Sequence, residues 1–192
     1  ARVAKFGVTV TGDNTLFATK YEKTDENYTK SKFSVVAANA STDENDKTTG
    51  DKVIAPGTQG EMTQFNVSGT PEVAVRVTFG AELSLENWTV PAADGTEEYC
   101  PLVFTVNDAV YKMEAGESVA DFENKVKTAI EEVSADYAPN TNLSDAGQNL
   151  NVSWEWPFQT SAENDVKDTA LGNAETPAGV TLTVSATVTQ ID

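Results

Sequence analysis

The side chains best supplied for chemistry in this chain are carboxylates, because the 192 residues include 30 acids and no histidine. Without an imidazole there is no Ser-His-Asp or Cys-His nucleophile system, no HExxH zinc site and no His-ligated transition metal. The single cysteine, Cys100, stands in the run YCPLVF with no base beside it to activate the thiol, so it reads as a packing residue. One cysteine also permits no intrachain disulfide. Glu155 lies between Trp154 and Trp156, an arrangement that would suit a glycosidase or a sugar-binding cleft. In an extended chain, however, alternate residues share a face, which puts the two indoles together and turns Glu155 to the other side. Core indoles with a solvated glutamate follow from that geometry, and Trp88 reads in the same way as core or rim.

The segment from Asp43 to Asp51 offers hard oxygen ligands, with Asp43, Asp46 and Asp51 as candidates for Ca²⁺ and Gly50 to relax the turn. The spacing matches no EF-hand, and an acidic run is ordinarily a solvated loop. Asp165 with Asp168 is a weaker pair of the same kind. Neither GxxxxGK[ST] nor GxGxxG occurs, so no phosphate cradle is encoded. The expectation is a protein that is not an enzyme and carries no cofactor, with Ca²⁺ at the 43–51 segment as the one alternative.

Charge points to the class of partner. The net formal charge is −17, which disfavours nucleic acid and anionic membrane surfaces. Residues 1–36 hold six basic groups against four acids, whereas residues 37–192 hold seven against 26. A basic N-terminal segment therefore precedes a strongly acidic body, an asymmetry that favours docking of one on the other. No run approaches the roughly 18 apolar residues of a membrane span. The start at Ala1, followed at once by a strand pattern, fits an exported protein whose signal peptide has been removed.

The elements that must position any site are mostly strands. In residues 2–11, Ala4, Phe6, Val8 and Val10 alternate with polar positions, the pattern of a half-buried strand. Residues 16–21 and 33–38 give two further short strands, separated by the charged stretch 22–32, which reads either as a loop or as an edge strand. Residues 41–51 contain no large apolar side chain and read as a solvated loop. Strands follow at 61–67, at 72–79 with Val73, Val75, Val77 and Phe79 inward, and at 99–106 and 109–113 around an Asn107-Asp108 hairpin turn. Ser118 with Asp121 approximates a capping box, and Val119, Phe122, Val126, Ile130 and Val133 recur at helical spacing through about residue 135. Residues 150–158 put Leu150, Val152, Trp154, Trp156 and Phe158 on one face, residues 163–171 suit a short helix, and 179–191 form a long closing strand. Many strands and few helices predict an all-β, jelly-roll-like sandwich with a helical insertion at about 118–135.

Distributed over this pattern, the start ARVAKFGVTVTG, the block from Ile54 to Val77, WEWPF at 154–158, DVKDTALGN at 165–173 and the closing TVTQID resemble the TasA/camelysin-like family of exported Gram-positive matrix proteins. The resemblance runs from end to end and contains no catalytic motif. The protease activity that gives camelysin its name has no zinc or nucleophile site here to support it and is not carried over. The resemblance implies a jelly-roll body that polymerises with identical subunits, alongside accessory or anchoring matrix proteins. Assembly would proceed by donor-strand complementation, in which the N-terminal strand of one subunit completes a sheet of the next.

On that expectation residues 1–11 are the donor strand and residues 12–192 one domain. Arg2, Val3, Ala4, Lys5, Phe6, Val8 and Val10 make the subunit interface, and Gly12, Asp13 and Asn14 serve as the hinge. Burial of Phe6, Val8 and Val10 would supply ~5 kcal/mol before ordering costs. The function expected is a structural subunit of a secreted biofilm-matrix or surface filament. The alternatives are a monomeric adhesin or carbohydrate-binding module and, behind it, a carboxylate-dependent hydrolase.

Overall fold

The computed structural model of the chain describes residues 8–13, 19–20, 28–37, 52–146, 149–158 and 161–191, with side chains from Ile54 onward. Strands β1 (Val8–Asp13), β2 (Thr19–Lys20), β3 (Tyr28–Ala37), β4 (Lys52–Ile54), β5 (Gln59–Gly69) and β6 (Val75–Glu86) come first. The hairpin of β7 (Thr89–Ala92) and β8 (Gly95–Glu98) leads to β9 (Val103–Val106) and β10 (Ala109–Lys112). Helix α1 (Val119–Glu131), β11 (Ala135–Tyr137), β12 (Asn149–Glu155), α2 (Ala162–Gly172) and β13 (Gly179–Gln190) complete the order.

These strands form two main sheets. The first runs β1-β5-β12-β9-β10 and the second β11-β6-β13-β3-β2, with β4 also on β3. All pairings are antiparallel except β3 with β4. The architecture is thus an all-β sandwich with a helical insertion, as the alternation predicts. No helix among the described residues is long and apolar enough to cross a membrane.

The core lies where the alternating faces meet. On β13, Val180, Leu182, Val184, Ala186 and Val188 are buried while the intervening residues are not. On β6, Val75, Val77 and Phe79 are buried and Arg76 and Thr78 exposed. Phe65 of β5 meets Phe79 of β6 with ring centroids 6.0 Å apart, which joins the two sheets. Trp88 and Trp156 meet edge to face at 5.6 Å, and the Trp88 indole N–H donates to Gly179 O at 2.9 Å. A buried indole keeps such a partner because an unpaired N–H costs free energy in the core.

Helix α1 begins where the sequence predicts: Ser118 Oγ caps the Asp121 N–H at 3.1 Å, and Val119, Phe122, Val126 and Ile130 are buried. The helix ends at Glu131, not near residue 135, because the chain turns out to build β11 along β6. Between helix and strand, Ser134 Oγ accepts the Phe79 N–H at 2.9 Å, and from within α1 Glu123 accepts the Leu85 N–H. The helix thereby lies beside β6 and occupies backbone donors that an edge strand would leave open. Across the sandwich Phe122 packs on Phe104 of β9 at 5.6 Å.

Three further features bear on the sequence reading. Of the two readings of the stretch 22–32, strand holds from Tyr28, where β3 starts, although β3 lies between β13 and β2 and not at an edge. The hairpin β7–β8, which has only Val90 buried on β7, lies in a region with no clear alternation. Phe158, expected on the core face with Trp156, is 79% exposed. Pairing ends with Gly57 N–H to Trp156 O at 2.7 Å and Trp156 N–H to Thr58 O at 2.8 Å, and Pro157 then turns the chain away. The Phe158 ring instead covers Gly57, where a Cβ would lie 2.2 Å from Cε2 and φ is +84°.

Candidate subunit interface

The strand singled out by the sequence is an outermost one. β1 pairs antiparallel with β5, from Val8 opposite Gly69 through Val10 opposite Val67 to Asp13 opposite Gln64. Its other side has no strand partner among the described residues. Val67 and Phe65, on the β5 side of that register, are 1% and 0% exposed, so β1 runs along the border of the core. Gly12 and Asp13, expected as a hinge, are paired strand residues opposite Phe65 and Gln64. Arg2, Val3, Ala4, Lys5, Phe6 and Asn14 lie outside the described residues, as do the Ca²⁺ candidates Asp43, Asp46 and Asp51.

β5 accommodates neighbours on both sides by bending. Its register with β12 shifts between Val152, opposite Thr63, and Ser153, opposite Glu61, leaving Met62 as an extra residue. Met62 and Thr63 are both buried, as expected of a bulge that turns consecutive side chains inward.

The residues weighed for chemistry are occupied structurally. Cys100 is buried, and desolvation pushes its thiol up to about 12, which leaves it inert at neutral pH. Glu155 is exposed at the end of β12 while Trp154 beside it is buried. Trp88, Trp154 and Trp156 are all buried, so none offers a face for a sugar to stack on. The glutamates at the base of α1 also have fixed tasks. Glu117 binds Lys125 at 2.7 Å and is held below the usual carboxylate range mainly by that bond, and Glu98 accepts the Val119 N–H at 3.2 Å. Among the described residues no three His, Cys, Asp or Glu side chains converge as metal ligands.

A buried polar cluster lies beneath α2. Asp168 is 6% exposed, and one of its oxygens accepts the Tyr99 hydroxyl at 2.9 Å. Burial raises the Asp168 pKa; Tyr99 and the nearby Trp156 indole oppose the shift, and Asp165 adds to it. The indole lies near but not in hydrogen-bond geometry, so Trp156 Nε1 and Asp168 Oδ2 are both left without a partner. Burial first, and then the bond to Asp168, drives the Tyr99 phenol upward. Lys167 lies over the Tyr99 ring at 5.4 Å and bridges Glu97 and Glu163 at 2.8 and 3.1 Å. Tyr99, Pro101, Met113, Pro157 and Lys167 line a cleft of about 890 Å³ at this end of the sandwich. Asp168 alone, paired in sequence with Asp165, hinted at the cluster; nothing local pointed to Tyr99.

Comparison with models of protein families, with curated proteins and with solved structures gave no match to this chain.

Proposed function

We propose that the chain is a structural subunit of an extracellular filament, assembled by lending its N-terminal segment to the sheet of a neighbouring identical copy. The observation that carries this reading is the position of β1. It is an outermost strand of its sheet, paired among the described residues with β5 alone, and a basic segment lies immediately ahead of it. An outermost strand presents a row of backbone donors and acceptors, and pairing with another chain satisfies them. The buried indoles and the inert thiol favour an assembly role over sugar binding or hydrolysis.

In this reading residues 8–13 remain on their own β5 and anchor the segment, while residues 1–7, which carry Arg2, Lys5 and Phe6, cross to the neighbour. Attraction between the basic segment and the acidic body speeds encounter and weakens with salt. A peptide of sequence ARVAKFG tests the idea, because it should occupy the acceptor and stop growth. Turbidity and electron microscopy of the full chain should show shorter filaments as peptide is added. Filament length unchanged by a large excess of peptide would count against the reading.

A further inference from the structure

The sandwich covers much of one strand edge and less of another. On the side where α1 lies, the two sheets end in β6, extended by the short β11, and in β10. The β6 edge is partly covered, by β11 at Val75 to Val77 and by the Ser134 and Glu123 side chains at Phe79 and Leu85. β10 has no strand beyond it among the described residues.

The register fixes which β10 groups face outward. Ala109 pairs with Val106 across the two-residue turn at Asn107, where φ is +52°. Asn107 N–H points the other way, to Asn151 O of β12 at 2.7 Å. Backbone direction alternates along an antiparallel ladder, so Val110 and Lys112 turn their N–H and C=O away from β9. Lys112 O is taken by Lys125 Nζ at 2.8 Å. Val110 keeps an outward backbone and a side chain that is 64% exposed, one of three large apolar residues so exposed among those described.

Beside this edge a groove of about 380 Å³ runs between Tyr111 and α1, with Asp121 and Glu132 on its wall. Lys125 shares that wall, so the charged lining of the groove is two acids to one base. The surroundings of the β10 edge are therefore net acidic.

We propose that the outer edge of β10 is the acceptor for residues 1–7 of a second copy, which add there as an antiparallel or parallel strand. The inference rests on the filament reading and names its receiving surface. β1 and β10 are opposite edges of one sheet. A contact from the β1 side of one copy to the β10 side of the next uses two different surfaces, the head-to-tail arrangement that builds an open polymer unless the rotation between copies closes a ring. Seven extended residues span about 23 Å, more than the four residues of β10 require. Arg2 and Lys5 supply the positive charge that the groove wall calls for, and the segment contains no acid.

The test is covalent trapping. Ala4→Cys, which keeps Arg2 and Lys5, and Val110→Cys are combined in the full chain; the native Cys100 is buried and stays unreactive. Mild oxidation of polymerised protein should give a ladder of covalent oligomers on a non-reducing gel, lost when either new cysteine is omitted. A second pair, Thr9→Cys with Ser68→Cys, reports on β1 itself, because those residues are partners in the register. It should close within one chain.

Val110→Pro provides an independent arm. It removes an outward N–H that β9 does not use, so the folded monomer should keep its melting temperature within a few degrees while filament yield falls at least tenfold. Filaments without a ladder from the 4–110 cysteine pair, together with unimpaired assembly of Val110→Pro, would overturn β10 as acceptor and leave the filament reading standing. A ladder from the Thr9–Ser68 pair would mean that the whole strand exchanges onto β5, which also overturns β10. A full chain that forms no filaments at all would remove both.

Discussion

Glu123 of α1 accepts the backbone N–H of Leu85, so a helix side chain does for β6 what a neighbouring strand would otherwise do. Ser134 repeats the device at Phe79. Glu123→Ala or Ser134→Ala should each cost about 1–3 kcal/mol in urea unfolding, since each leaves a part-buried donor unpaired. Glu123→Gln keeps an acceptor oxygen and should lose much less. Equal losses for Ala and Gln would show that the charge or the packing, not the acceptor, matters.

The Tyr99–Asp168 bond gives a pH dependence whose sign is fixed. Asp168 has a folded-state pKa raised above its ordinary value of 3.8, chiefly by burial. Its contribution to stability is therefore full below that ordinary value and is lost as pH rises through the folded value. Asp168→Asn removes the titration and leaves an acceptor for Tyr99, so its melting temperature relative to wild type should improve from pH 4 to pH 7. A constant difference across that range would contradict the assignment. Tyr99→Phe takes away the one hydrogen bond that Asp168 accepts in good geometry and should cost about 1–3 kcal/mol.

Gly57 and Phe158 should be energetically coupled. Gly57→Ala meets two obstacles, a left-handed backbone and the Phe158 ring. It should destabilise by about 1–2 kcal/mol from the backbone alone, with more from the ring. In the double variant with Phe158→Ala the ring part disappears. Additive effects in a double-mutant cycle would mean that the exposed ring swings aside freely.

The elements legible in the sequence are those whose period is set by the core. β6, β13 and most of β12 show strict alternation, and α1 shows helical spacing, because one face of each is buried. Where burial is slight the signal fades: the β7–β8 hairpin has one buried residue on β7, and the end of α1 is decided by β11 pairing with β6. Phe158 continued the alternation of β12 but not its strand, since Pro157 intervenes. For the interface, the alternation at Val8 and Val10 was readable, but their register with β5 depends on where the chain returns more than 50 residues later. Glu123 and Ser134 look like any polar residue near a helix end. Their roles arise only from the edge they face.

The most direct measurement is filament assembly by a chain that lacks residues 1–7 and keeps β1. Because residues 8–13 still pair with β5, the truncated protein should fold with an unchanged circular dichroism spectrum and melting curve. Under conditions where the full chain forms filaments, electron microscopy should find only monomers. Filaments of the same form and abundance from the truncated chain would contradict the account.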